Sequence, residues 1–371
     1  MPHACENPEF HEGDLRYREV LDACISDTLL RALKIAAADP AVVMAGLGIL
    51  VHQKKAAGRR REYEQQGLLV PPVMMVSITS QCNLACRGCY MHRQTLAVPA
   101  PDMRAEQLRS VAEQAAELGI SVIVIAGGEP LLRKEEIFSL ARSFPHILFP
   151  VFTNGLLIDD KTAQEISGIR NIVPVISFEG LKPETDARRG TGVYDHLRAS
   201  CARLAKLHVF FGCSVTVTSQ NHPQVTDRDF IRQMVSAGAR VFVFVEYVPV
   251  KPGTESLVLS REQQKLLNKA ITDFSGEFPA LFIGFPGDET LYGGCLAAGR
   301  GFIHISPDGN VEPCPAAPFS DANLTNASLR DALQSRFLEQ VRRHHDLLTE
   351  TQGGCALWAN RAWVSTLLKR S

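Results

Sequence analysis

With 371 residues, 45% of them hydrophobic, the chain can bury a large core in one big domain plus a smaller one. Its formal net charge of -1 carries no bias toward nucleic acid, so no nucleic-acid partner is expected. The ten cysteines follow a start, MPHACENPEFHEGD, that lacks the charged-then-apolar pattern of a secretion signal, which favours a reducing cytoplasm and metal binding over a disulfide framework.

Residues 1–70 read as a helical segment, with helices over 15–37 and 41–55 and a polar tail to Gln66. Asp39-Pro40 is a helix-start signal, and Pro71-Pro72 ends the pattern. The apolar run AVVMAGLGILV over 41–51 has eleven residues, well short of the ~20 that span a bilayer. Lys54, Lys55, Arg59, Arg60 and Arg61 follow it. A packed helix with a solvated, charged end is the favoured reading, and a peripheral membrane contact through these helices is the alternative.

Beyond Pro72, apolar β-branched runs at 73–79, 121–126, 147–153, 172–178, 209–218 and 241–247 alternate with amphipathic pieces. The helix-like pieces lie near 104–118, 134–143, 160–166, 194–207 and 227–237. Six β-then-α units predict an α/β fold, a parallel sheet with helices outside. Physics alone leaves a doubly wound sheet and part of a barrel both open. In a parallel barrel the site gathers at the C-terminal ends of the strands, and the chemistry-bearing residues fall there.

After the first strand, Cys82, Cys86 and Cys89 lie within eight residues as CxxxCxxC. Three thiolates on one tight loop suit a soft metal centre, and an iron–sulfur cubane held by three cysteines keeps one iron free for a ligand. Structural zinc usually takes four ligands, and no second cysteine pair lies near this loop. Gly127-Gly128-Glu129-Pro130 follows the second strand and Thr153-Asn154-Gly155 the third, and paired glycines let backbone approach a ligand closely. Glu246 ends the sixth strand; the alternation turns it toward the barrel mouth, to polarise a substrate or take a proton, with a solvated rim carboxylate as the plain alternative. Cys201 and Cys213, like Cys5 and Cys24, stand alone and read as inert buried thiols.

In order over roughly residues 72–250, these motifs resemble the radical S-adenosylmethionine (radical SAM) enzymes. The resemblance implies a partial (β/α)6 TIM-type barrel and a 4Fe–4S cluster on Cys82, Cys86 and Cys89, whose open iron is chelated by S-adenosyl-L-methionine (SAM). Gly127 and Gly128 would contact the cofactor's amino group with Glu129 assisting, and Thr153 and Asn154 would join the same pocket. Gly88 stands where the family often has an aromatic residue, and Tyr90 is expected to supply some of the missing adenine contact. Ser177-Phe178-Glu179-Gly180 with Arg189 resembles the S-x-D-G and H-D-x-x-R pattern of radical enzymes that modify peptides. Ser177 would then touch the ribose, and Arg189, twelve residues on, would grip the carboxylate through its planar fork. Glu179 and Thr185 replace the usual aspartate and histidine. Val217, with Val215, is expected against the adenine.

The last third, 251–371, has another texture, opening with a helix near 261–274. Thirteen residues separate Cys295 from Gly309 and four separate Gly309 from Cys314, and Asp308-Gly309 reads as a hairpin turn that brings the two cysteines to one end. This resembles the opening half of the SPASM auxiliary-cluster domain, or its shortened relative twitch, without the dense cysteine run of the full domain. One auxiliary 4Fe–4S cluster on Cys295, Cys314 and Cys355 is expected, with a metal-free cysteine hairpin as the alternative.

The division is thus a helical segment at 1–70, a barrel at 71–250 and an auxiliary α+β domain at 251–371. The family implies that a flavodoxin or ferredoxin reduces the first cluster, and that SAM is cleaved to methionine and a 5′-deoxyadenosyl radical that abstracts hydrogen. Auxiliary-cluster relatives act on peptides, enzymes and small molecules. A peptide or protein side chain is the expected substrate, and a lipid or small metabolite the alternative that the helical N-terminal segment would suit. A reading of another class is an iron–sulfur electron carrier or a zinc-bound interaction protein.

Overall fold

The structure, a computed structural model, describes residues 16–37, 39–91, 101–286, 292–349 and 355–368. Six parallel strands form on the apolar runs: β1 (Val73–Ser77), β2 (Val122–Ala126), β3 (Phe149–Thr153), β4 (Ile172–Phe178), β5 (Gly212–Val217) and β6 (Val241–Glu246). Parallel neighbours cannot be joined by a tight turn, so a helical crossover follows each strand. The helices Ala105–Leu118, Lys134–Ser143, Asp160–Ser167, Val193–Lys206 and Arg228–Ser236 fall on the expected segments. Their apolar stripes, such as Leu108, Val111, Ala115 and Leu118, are buried and join one core with the sheet.

Later strands lengthen this sheet at both edges. β7 (Leu281–Phe285) pairs parallel with β6, and β8 (Phe302–Ile305) pairs parallel with β1. β9 (Val311–Glu312) lies antiparallel beyond β8, giving the order β7-β6-β5-β4-β3-β2-β1-β8-β9. The architecture is the expected partial (β/α)6 TIM-type barrel, with one strand added beyond β6 and two beyond β1. Asp308-Gly309 makes the expected turn between β8 and β9; Gly309 sits at φ +91°, a conformation glycine adopts freely.

The helices Arg16–Ile35 and Pro40–Gln65 pack together, and the second runs unbroken through the apolar run and its polar tail. Fully buried Arg60 donates to the Gly119 carbonyl and pairs with Asp22, tying both helices to the end of helix Ala105–Leu118. Arg59 reaches the Ala116 and Glu117 carbonyls at 2.8 and 3.1 Å. Two arginines of the basic cluster therefore dock the helix rather than solvate its end. No helix among the described residues is long and apolar enough to cross a membrane.

Cys201 and Cys213 are buried thiols, and burial pushes Cys201 up to about 12. Cys24 departs from expectation, since it is disulfide-bonded. Cys5 lies outside the described residues.

Candidate active site

The chain leaves β1 at Ser77 and enters the loop that bears Cys82, Cys86 and Cys89. Asp102 holds the root of this loop, accepting from the Thr79 hydroxyl at 2.5 Å and from the Ser80 amide and hydroxyl at 3.1 Å each. The turn after β2 lies against it in backbone contact: Gly128 N–H donates to Thr79 O and Glu129 N–H to Gln81 O, both at 2.8 Å. A Cβ on Gly127 would sit 2.5 Å from Thr79 O, and one on Gly128 2.0 Å from Gln81 O. The paired glycines thus serve first the close approach of two protein loops.

Glu129 is the hub of this contact. Its Oε1 accepts from Leu131 N–H at 2.9 Å and Thr153 Oγ1 at 2.6 Å, and its Oε2 from Asn154 N–H at 2.7 Å. Burial pushes its pKa up, while these donors oppose the shift. Asn154 Nδ2 in turn donates to Asn83 Oδ1 at 2.6 Å and stands 3.9 Å from Cys82 Sγ. One carboxylate therefore joins the ends of β2 and β3, and Asn154 carries the link on to the cysteine loop.

The other flank is braced by helix Lys182–Arg189. Arg87 N–H donates to Arg188 O at 3.0 Å, and Arg188 Nε donates back to Arg87 O at 3.1 Å. Arg188 and Arg189 both pair with Glu179 Oε1, at 2.7 and 2.6 Å, while Glu179 Oε2 is buried without a partner among the described residues. Thr185, in the usual place of a histidine, bridges the Glu179 amide and the Gly180 carbonyl and so closes the turn. Ser177 and Ser214 share a hydrogen bond of 3.0 Å across β4 and β5.

The pleat of β5 and β6 corrects two expectations. Val217 lies beside Glu246, Val215 beside Phe244 and Cys213 beside Phe242, so these residues share one face. That face meets the helices: Phe242 stacks on Phe282 at 4.9 Å, Phe282 contacts Phe274 of helix Arg261–Glu277, and Glu246 accepts from Gln264 of the same helix at 2.7 Å. Val217, fully buried, and Glu246 therefore face the helix layer instead of the barrel mouth. The alternate face carries Ser177, Ser214 and Thr216, and Tyr247 just past β6 reaches Gly88 of the cysteine loop.

Tyr90 points to the opposite flank. Its hydroxyl bonds Ser77, and burial pushes its pKa up, reinforced by Cys89, Cys314 and Glu312 nearby. Ser77 Oγ lies 2.8 Å from His304 Nε2, and His304 Nδ1 lies 2.7 Å from Glu312 Oε2. This buried chain runs from the residue after Cys89 to the strand just before Cys314. Sequence reasoning missed it; a lone histidine inside the apolar strand FIHI was the available signal.

The later cysteines also gather. The Cys355 thiol bonds Cys314 and, with burial, holds that thiol well above its usual range, with Cys295 also close. Trp358 N–H donates to Cys355 Sγ at 3.4 Å. In the first loop, burial pushes the Cys82 and Cys86 thiols up. All six are free cysteines, and among the described residues no three metal-ligating side chains close around a single-ion site.

Comparison with known proteins gives this arrangement a family. Residues 76–234 match the radical SAM superfamily, a span that opens before the cysteine loop and includes GGEP, TNG and the Arg189 turn. The chain is 24% identical over 315 residues to the AdoMet-dependent heme synthase of Methanosarcina barkeri, covering 77% of this chain and 88% of that protein. It is 26% identical over 314 residues to the mycofactocin maturase MftC of Mycolicibacterium smegmatis, covering 80% of this chain and 77% of MftC. The crystal structure of Streptococcus suis SuiB bound to precursor peptide SuiA shares the fold over 83% of this chain and 74% of SuiB, with a TM-score of 0.63 at 19% identity. With the three cysteines, the glycine turn and the barrel thus in the family's order, residues 76–234 form a radical SAM superfamily domain, and the protein that carries it is an enzyme.

Proposed function

We propose that the enzyme reductively cleaves SAM to a 5′-deoxyadenosyl radical that abstracts hydrogen from a peptide or protein side chain. Family membership implies a 4Fe–4S cluster and SAM. The donor set fits them: Cys82, Cys86 and Cys89 are free thiols on one loop, and Cys82 feels the charge of the other two. When bound, the cluster and SAM supply the electron and the radical.

The chain's own residues position and enclose. Asp102, the glycine turn and Arg188 hold the cysteine loop from three sides. Ser177 and Arg189 are assigned to the cofactor's ribose and carboxylate, with Arg189 kept in place meanwhile by Glu179. Gly127, Gly128, Glu129, Thr153 and Asn154 are assigned to the wall beside them. A single observation carries this reading: Glu129 of the glycine turn accepts from Thr153 and Asn154 of the third motif, and Asn154 carries that tie to Asn83 between the first two cysteines.

Cys295, Cys314 and Cys355 are assigned to one auxiliary 4Fe–4S cluster, supported by the convergence of their thiols. A flavodoxin or ferredoxin is the proposed reductant. MftC, a maturase by name, and SuiB, seen with a precursor peptide, support the peptide substrate.

The test is anaerobic reconstitution followed by dithionite and SAM, with 5′-deoxyadenosine measured. Wild type should form it, and the Cys82→Ala/Cys86→Ala/Cys89→Ala variant should not, while that variant still holds the iron of one cluster. An iron-loaded wild type that forms none would be an electron carrier.

A second reading has its own observation. Met44, Leu47 and Val51 share one face of helix Pro40–Gln65 and are 68%, 43% and 54% exposed, with exposed Lys54 and Lys55 following. This supports a peripheral membrane contact and, through it, a lipid substrate.

A further inference from the structure

Gly88 and Tyr247 fit together as one unit across the top of the barrel. Gly88 lies between Cys86 and Cys89 at φ +74°. A Cβ built there would stand 2.6 Å from Tyr247 Oη and 3.1 Å from two carbons of its ring. The Tyr247 ring therefore occupies the space that a side chain at position 88 would take. Tyr247 follows β6 directly, and its N–H donates to Val217 O at 2.9 Å, which fixes where the ring sits.

The hydroxyl of this ring is an anomaly of the apolar packing. Tyr247 is 3% exposed, and its Oη has no hydrogen-bond partner among the described residues. A phenol is a strong donor, and burying one unpaired is costly enough that such groups cluster where a ligand completes them. Among the described residues, this unpartnered hydroxyl lies directly against Gly88 of the cysteine loop.

Resting on the radical SAM reading, we propose that Tyr247 is a ligand-contacting residue of the SAM site, its hydroxyl donating a hydrogen bond to cofactor held beside the cysteine loop. Gly88 and Tyr247 then share one role: the loop forgoes its own side chain there, and β6 supplies an aromatic ring with a polar tip in its place. No covalent step is involved.

The test uses full-length, cluster-loaded Tyr247→Phe, which keeps the ring and removes only the hydroxyl. SAM affinity is measured by equilibrium dialysis without turnover, and thermal unfolding is followed with and without SAM. SAM Kd should rise about tenfold, the worth of one good hydrogen bond, while the SAM-free variant unfolds at the same or a higher temperature because an unpaired buried hydroxyl is gone. An unchanged Kd overturns the proposal, including the case in which the hydroxyl meets only the substrate. Failure of the underlying reading looks different: wild type itself would load iron on the loop yet bind no SAM. Tyr247→Leu, which also takes the ring from Gly88, should weaken binding further, and equal binding by both variants would count against the paired role.

Discussion

The imidazole of His304 lies 2.8 Å from the Ser77 hydroxyl although 227 positions separate them in the chain. Its other nitrogen meets Glu312, so one ring ties β1 to the added strands β8 and β9. His304→Leu leaves a buried carboxylate without its partner and should cost about 3 kcal/mol or more in denaturant unfolding. Replacing both, as His304→Leu/Glu312→Leu, should recover most of that loss. A double variant as unstable as the single one would show that the ring acts by volume alone.

Gly128 tests the contact between two motifs. A methyl group there meets the Gln81 backbone, which has no flexible end to move aside. Gly128→Ala should destabilise the protein by about 1–3 kcal/mol and lower the iron bound per chain after reconstitution. Iron content equal to wild type would mean that the cysteine loop tolerates displacement.

Arg188 and Arg189 share one carboxylate oxygen, so position alone does not separate their duties. Arg188 also bonds Arg87 O, which commits it to the loop. Arg189→Lys keeps the charge and loses the planar fork, and should raise SAM Kd roughly tenfold. Arg188→Lys should leave SAM affinity near wild type. The reverse order would exchange their assignments.

The exposed stripe on helix Pro40–Gln65 makes its own forecast. Wild type should float with anionic liposomes at low salt, and Met44→Ser/Leu47→Ser/Val51→Ser should float several-fold less, with unchanged 5′-deoxyadenosine formation from SAM. Equal flotation of the two proteins would sink the membrane contact.

The barrel was legible because each strand is a compact apolar run and each crossover helix has its own stripe, and the cysteine spacing announced the first loop. Thr153 and Asn154 were found by motif, yet their tie to Glu129 belongs to the folded chain. Val217 and Glu246 were misplaced by one step of a period of two, the smallest error that reverses every side chain of a strand. The helix-facing rings of Phe242 and Phe244 on the same strand carried the correct phase. His304 and Tyr247 escaped for another reason: their partners lie far away in sequence, where local pattern carries no information.

The placement of β7 and β8 has a consequence for anyone who would trim this enzyme. A fragment ending at residue 250 would bare the outer backbone groups of β1 and β6, two ready templates for stray pairing between molecules. The catalytic half is not portable: it borrows its lateral borders from the last third of the polypeptide, and a cut there should yield aggregate before it yields a smaller enzyme.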